Sequence, residues 1–183
     1  MRRVTLSFFK KMQGGNTSPP GVGLSEIVWS WIGAFLGISA VGFLQYILFV
    51  DGDLVYIIGS FGASAVLIYG APGSPMAQPR NLVGGHVVSA LVGVTAFKLL
   101  GGNPWMAGSV AVATAIAGMH ATKTLHPPGG ATALIAVIGS NQIHALGYLY
   151  VIVPSGLGAL IMLVVALIVN NIPDNRKYPE FWI

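Results

Sequence analysis

The chain of 183 residues is 54% apolar and 8% charged, with a formal net charge of +4 and a mean hydropathy of +0.76. An ordinary soluble domain carries about 25% charged residues, so these values place the chain among polytopic membrane proteins, in a single domain. The absence of cysteine excludes disulfides, zinc–thiolate sites and thiol chemistry. The basic residues fall at the ends of apolar runs, where they set orientation in a bilayer, and form no patch suited to nucleic acid.

Residues 1–24 carry Arg2, Arg3, Lys10 and Lys11 and no acid. They lack the apolar centre and cleavage site of a secretory signal, and the expectation is a disordered cytoplasmic tail, with the remnant of a transit peptide as the alternative. Six apolar segments follow within a transmembrane domain at 25–171: Ile27–Val50, Leu54–Gly70, Leu82–Leu100, Pro104–Met119, Pro127–Gly139 and Ala145–Val169. The first and last are long enough to cross a bilayer core of about 30 Å. Pro127–Gly139 is too short at about 1.5 Å per residue, which makes it a half-helix or a re-entrant segment, and the second and fourth are marginal. Residues 172–183, with Arg176 and Lys177, read as a cytoplasmic tail.

Charge placement supports six crossings. Basic residues in the N-terminal tail, at Arg80, at Lys123 and at Arg176 alternate with loops that have none, the first of which holds Asp51 and Asp53. Only Lys98, at the outer end of the third span, breaks the pattern, and from there it can snorkel. Four spans with two re-entrant segments is the competing count.

A repeat reinforces the six-segment reading. Gly62–Ile68 matches Gly130–Ala136 at a displacement of 68 residues, with three identities and three conservative pairs. The same displacement lays the first span over the fourth and the third over the sixth. The fold expected is therefore all-α, with six segments in a 3+3 inverted repeat: repeat 1 at about 27–100, repeat 2 at about 101–170, and short broken or re-entrant second and fifth helices.

The chemistry concentrates at the breaks. In Leu125-His126-Pro127-Pro128-Gly129-Gly130-Ala131, the prolines suit the first turn of a helix. The free N–H groups of Gly129, Gly130 and Ala131, with the Thr132 hydroxyl, would then offer a small anion a positive helix end. Ser60, Gly62, Ala63 and Ser64 form the corresponding surface of the first repeat, so that two helix N-termini face each other near the midplane. His126 stands at the break itself. His86, after Gly84-Gly85, either lines the same passage or is bonded to a neighbouring carbonyl. Arg80 and Lys123 form a basic vestibule or serve topology alone.

Glycine-rich breaks also serve close packing, as the Gly33-x-x-x-Gly37 pair in the first span can. Glu26 is the one acid near a span, and the lack of an embedded carboxylate favours channel-like or weakly coupled transport. No catalytic triad, HExxH, phosphate loop or carboxylate pair is present, so the chain is read as no enzyme, with no cofactor and no metal.

His126-Pro127-Pro128-Gly129-Gly130-Ala131-Thr132-Ala133-Leu134 resembles the signature of the HPP family of integral membrane proteins. Gly62–Leu67, Ser74–Asn81 and Gly84-Gly85-His86 resemble that family's other recurrent stretch, and the likeness covers roughly Trp29 to Asn170. It implies nitrite transport across a cyanobacterial plasma membrane or a chloroplast envelope. The family is usually described with four spans, against six segments here. Some relatives carry regulatory CBS domains, and this chain's end soon after its last span implies no such control. The expected partners are the lipid bilayer, nitrite or a similar anion, and other copies of the chain. A non-transporting scaffold or sensor subunit, and a pore for nitrate, formate or a neutral molecule, are the alternatives.

Overall fold

The computed structural model describes residues 8–12, 14–48 and 58–183, with Gln45 and Leu48 known by backbone alone. Asp51 and Asp53, and residues 54–57 of the second expected segment, lie outside the described residues. Every regular element among the described residues is helical. Residues 8–11, in the tail expected to lack structure, make one helical turn. The main helices are α1 (Leu24–Leu48), α2 (Gly59–Gly70), α3 (Pro79–Leu100), α4 (Pro104–Ala121), α5 (Pro127–Ile138), α6 (Asn141–Leu146) and α7 (Leu157–Val169). Among the described residues, three stretches are long and apolar enough to cross a membrane: Leu24–Leu44, Pro79–Leu100 and Val151–Val169.

Proline starts three of these helices, at Pro79, Pro104 and Pro127. Its fixed φ and missing N–H cost nothing at a first helical position. α2 and α5 each have 12 residues, about 18 Å at 1.5 Å per residue, and neither spans a bilayer alone. Their starts, Gly59 and Pro127, lie 68 positions apart (127 less 59).

The sixth expected segment, Ala145–Val169, is corrected by the structure: it is not one helix. α6 stops at Gly147, whose φ is +51°, a conformation glycine adopts without a Cβ penalty. A second irregularity lies in the wide turn Val151–Gly156, where Val153 leaves helical geometry at φ −132° and ψ 122°. The ring of Pro154 crowds the residue before it out of the α region. Regular helix resumes at Leu157.

Side-chain contacts gather six helix termini at one end of the bundle. Arg176 bonds Glu26 at the start of α1 and the Tyr69 carbonyl at the end of α2, and Asn170, just after α7, bonds the Ile68 carbonyl. Arg80 in the first turn of α3 donates to the Thr122 carbonyl just beyond α4, and Asn81 donates to Leu125, two residues before α5.

The segment after α7 is docked, not trailing. The Tyr178 hydroxyl donates to the Ala77 carbonyl at 2.8 Å and the Glu180 N–H to Gln78 Oε1 at 2.8 Å. Gln78 in turn donates to the carbonyls of Pro72 and Ser74. The α2–α3 loop is thereby clamped from both sides.

Close approach of backbones depends on particular small residues, as expected where packing rather than water drives helix association. The Gly33/Gly37 pair of α1 seats the ring of Tyr69, and a Cβ at either position would strike it. The Tyr69 hydroxyl reaches past α1 to the Met162 carbonyl of α7 at 3.0 Å. Gly93 of α3 lies against the Ala133 backbone of α5, and Ala107, Ala111 and Ala115 form a buried stripe on α4. The outward face of α1 is apolar and aromatic, with Trp31 stacked on Phe35.

Candidate functional site

Four polar side chains meet in the interior where α2, α3 and α5 pack together: Ser64, His86, His126 and Thr132, all fully buried. His126 precedes the proline pair that opens α5 and is extended at φ −138° and ψ 105°, the conformation that a following proline favours. Glycine at position 85 admits it, since a Cβ there would overlap that of His126. Gly129, one turn on, lies against Ser89 and the Gly85 carbonyl. These two glycines let α3 and α5 approach closely enough for His86 to reach across.

The hydrogen bonds form a chain whose direction follows from one end, and at the other end Thr132 Oγ1 also lies 3.4 Å from the Pro128 carbonyl. His126 Nδ1 lies 2.8 Å from the Met76 carbonyl, which can only accept, so Nδ1 carries the hydrogen. Nε2 of the neutral ring is then an acceptor, and it takes the hydrogen of Ser64 Oγ at 2.8 Å. Ser64 Oγ accepts from His86 Nε2–H, also at 2.8 Å. That leaves His86 Nδ1 to accept from Thr132 Oγ1 at 2.7 Å. The tautomers are assigned by this satisfaction argument. Each ring nitrogen and each hydroxyl in the chain has a partner, as buried polar groups require.

The surroundings are aromatic and uncharged. The two imidazoles lie 5.2 Å apart between centroids, and Phe61 stands 5.2 Å from His86 on the other side. The Tyr150 hydroxyl donates to the Thr132 carbonyl at 3.1 Å. Arg80 and Lys123 sit at the rim: Arg80 holds the Thr122 carbonyl, and Lys123 is exposed in the same turn.

The other residues singled out in the sequence are placed differently. Gly62 and Ala63 are exposed on the outer side of α2. Ala63, Val66, Leu67 and Ala71 line one wall of an apolar groove of about 400 Å³, with Pro127, Pro128 and Ala131 on the other. The last turns of α2 thus lie beside the first turn of α5, and the first turns of the two helices do not meet end to end. Which side of α2 faces inward is set by Phe61, Ser64, Ile68 and Tyr69, all buried, and the small residues are left outside. The Gly129 N–H, expected to be free, donates to the His126 carbonyl at 2.8 Å. Gly130 is half-buried, with Val112 as its nearest neighbour. Ser60 is fully buried and its hydroxyl has no partner among the described residues, a condition shared by Ser155 in the irregular turn before α7.

Sequence reasoning missed Met76, whose carbonyl ends the chain, and Asn81, which fixes the backbone before His126. Backbone carbonyls leave no trace in a residue pattern, though Asn81, directly before the third apolar segment, was a visible signal. His144 stacks on Phe97 at 3.8 Å and bonds the Val137 carbonyl, away from the cluster. Lys98 sits over the Tyr148 ring at 5.5 Å, a cation–π contact.

Comparison with known proteins finds relatives of the chain. The family described as HPP, transmembrane region, matches residues 19–179. Two proteins of Dictyostelium discoideum, both described as transmembrane proteins, are 50% and 44% identical to the chain over 97% and 100% of its length. The chain spans 58% and 65% of those two relatives. No solved structure matches.

Proposed function

The chain belongs to the HPP transmembrane family, and we propose that it is a transporter or channel for a small monovalent anion, nitrite foremost, acting at the Ser64–His86–His126–Thr132 cluster. One observation carries the reading: a continuous chain of four neutral hydrogen-bonding side chains is buried between helices of a chain that is only 8% charged. Intramembrane ionisable residues are costly and mark pathways. Nitrite accepts hydrogen bonds through both oxygens, so imidazole and hydroxyl donors suit it, and neutral donors hold it weakly enough for release. The exposed Lys123 and the rim residue Arg80 would raise the local anion concentration.

The same reading takes α1–α3 and α4–α7 as the two halves of a 3+3 inverted repeat. Ser64 and Thr132 then occupy equivalent positions, 68 residues apart (132 less 64), one on each side of His86. A bacterial plasma membrane or a chloroplast envelope is the membrane that the family resemblance favours.

One observation favours a scaffold instead. Every polar group of the chain from Met76 to Thr132 is already partnered, as in a polar pin that only ties helices together. Uptake of nitrite into liposomes holding the purified protein decides between them. Saturable uptake, lost in His126→Ala, is the expected result. Absence of uptake under every gradient, from protein that is folded and monodisperse, would favour the scaffold.

A further inference from the structure

A row of groups that each hand one hydrogen to the next is the arrangement along which a proton moves by hopping. We propose that Thr132, His86, Ser64 and His126 are a proton relay, and that the anion crosses together with a proton carried on it; this rests on the anion reading above. The geometry is specific. Three consecutive gaps of 2.7, 2.8 and 2.8 Å join hydroxyl to imidazole to hydroxyl to imidazole. Each group can both give and take a proton, and the Met76 carbonyl fixes the starting direction.

The step balances without any further reactant than a proton from hydronium, which leaves water, or from the protonated anion, which leaves the anion. That proton bonds to Thr132 Oγ1, and the hydroxyl's own hydrogen passes to His86 Nδ1. The His86 Nε2–H bond breaks and a new O–H bond forms on Ser64. The former Ser64 hydrogen bonds to His126 Nε2. One proton has entered, one positive charge stands on the His126 imidazolium, and all three hydrogen bonds persist with reversed direction. An anion held beside His126 then faces a cation, and the pair is neutral across the apolar interior, where an isolated charge is costly. Reverse hops release the proton when the anion leaves.

Among the described residues, the groups around the rings leave this charge unopposed by any fixed one. α2 presents Ser64 and the Phe61 ring, and α5 presents Thr132. The α2–α3 loop presents the Met76 carbonyl, and Tyr150, before α7, reaches only the Thr132 carbonyl. From α4, Met119 packs on Gly129 beside the cluster. Arg80 is committed to the Thr122 carbonyl, and Lys123 is exposed. A histidine relay would take the role that an embedded carboxylate has in other coupled carriers, and transport would then be coupled, against the expected channel-like or weakly coupled passage.

The test uses liposomes containing the full chain, loaded with a pH-sensitive dye, with membrane potential clamped by potassium and valinomycin. Protein-free liposomes correct for passive permeation of nitrous acid. An acid-outside gradient at zero potential is expected to drive nitrite accumulation with matching internal acidification. Ser64→Ala, which removes the hydroxyl between the rings, should slow that accumulation about tenfold or more, in line with the worth of a positioned proton-transfer group, and Ser64→Thr should restore it. Nitrite uptake driven by potential and indifferent to the pH gradient would overturn the relay while leaving the anion reading intact. Wild-type rates of pH-driven uptake in folded Ser64→Ala would overturn it too. Proton movement without any nitrite movement would keep the relay and remove the anion, and flux of neither would remove both.

Discussion

Two of the protein's buried polar clusters are built on opposite rules. In the interior, Ser64, His86, His126 and Thr132 form a neutral chain in which Ser64, His86 and His126 each give one hydrogen bond and take another, and Thr132 at its start only gives. At the end of the bundle, Arg176 carries a full charge with its side chain only 2% exposed. It is held by both oxygens of Glu26, by Ser30, by Asn170 and by the Tyr69 carbonyl. Arginine's fixed fork of donors matches such a set of acceptors, and a buried charge is tolerated only when so paired. The difference lies in what each cluster can do next. The arginine clamp has one protonation state and one geometry, so it fixes helix ends. The histidine chain has one direction when neutral, set by the Met76 carbonyl, and its three bonds can reverse without being lost only when a proton is added.

The sharpest way to test this contrast is to break each cluster and read both flux and stability. The largest effect on flux is expected from His126→Ala: uptake of nitrite should fall by about a hundredfold or more, as for loss of a proton-transfer group. The protein itself should lose only about 1–3 kcal/mol, the usual result of orphaning buried hydrogen-bond partners. Uptake assays and thermal unfolding in detergent measure the two effects. A mutant that keeps its flux would show that the cluster is structural.

The reverse pattern is expected at the clamp. Arg176→Ala leaves Glu26 without its partner and should cost about 3 kcal/mol, read as a lowered unfolding temperature. Flux per folded molecule should stay near that of the unaltered protein. Arg176→Lys should recover only part of the stability, because an ammonium cannot meet the carboxylate fork and the carbonyls together. Loss of flux in folded Arg176→Ala would mean that the clamp, through Tyr178 and the α2–α3 loop, also holds the Met76 carbonyl against His126.

Packing sits between the two clusters and gives a third, smaller effect. Gly33→Val would press on the Tyr69 ring and should cost about 2 kcal/mol, as overpacked cores do. Gly62→Ala, on the exposed side of α2 with nothing within contact of a new Cβ, should change neither stability nor flux by a measurable amount. Parallel unfolding curves for the two variants separate a seat glycine from a surface one.

These contrasts also explain which parts of the molecule could be read from its residues. Histidines, a serine and a threonine stand out in apolar segments, and the four that the structure links are all visible that way. Proline marked the starts at Pro104 and Pro127 because its preference is local. The face of α2 was not legible, since a run of Gly, Ala and Ser has no polar side to show. The Arg176–Glu26 pair joins positions 150 residues apart (176 less 26), and only packing decides that it forms. The break at Val153–Pro154 was hidden by the apolar character of residues 145–169, which suggests one long span. A proline in such a run was the available signal, and its effect on the preceding residue is local physics.

The smallest expected effect is the most discriminating for the basic rim. Lys123 has φ +56°, directly after α4, where the Lys123 N–H bonds the His120 carbonyl and the Thr124 N–H bonds the Met119 carbonyl. This is the left-handed helix ending usually filled by glycine, and a lysine there bears a Cβ penalty of about 1 kcal/mol. Lys123→Gly should therefore stabilise the protein by about 1 kcal/mol while removing a rim charge. If that charge concentrates the anion, nitrite uptake at low ionic strength should fall by about threefold, and the deficit should vanish at high salt, where charges at the surface are screened beyond about 3 Å. Lys123→Gln removes the charge and keeps the strained backbone, so the two variants should share the flux deficit and differ in unfolding temperature. Equal flux in both variants and in the unaltered protein at low salt would assign the lysine to topology alone, and leave recognition of the anion entirely to the buried chain.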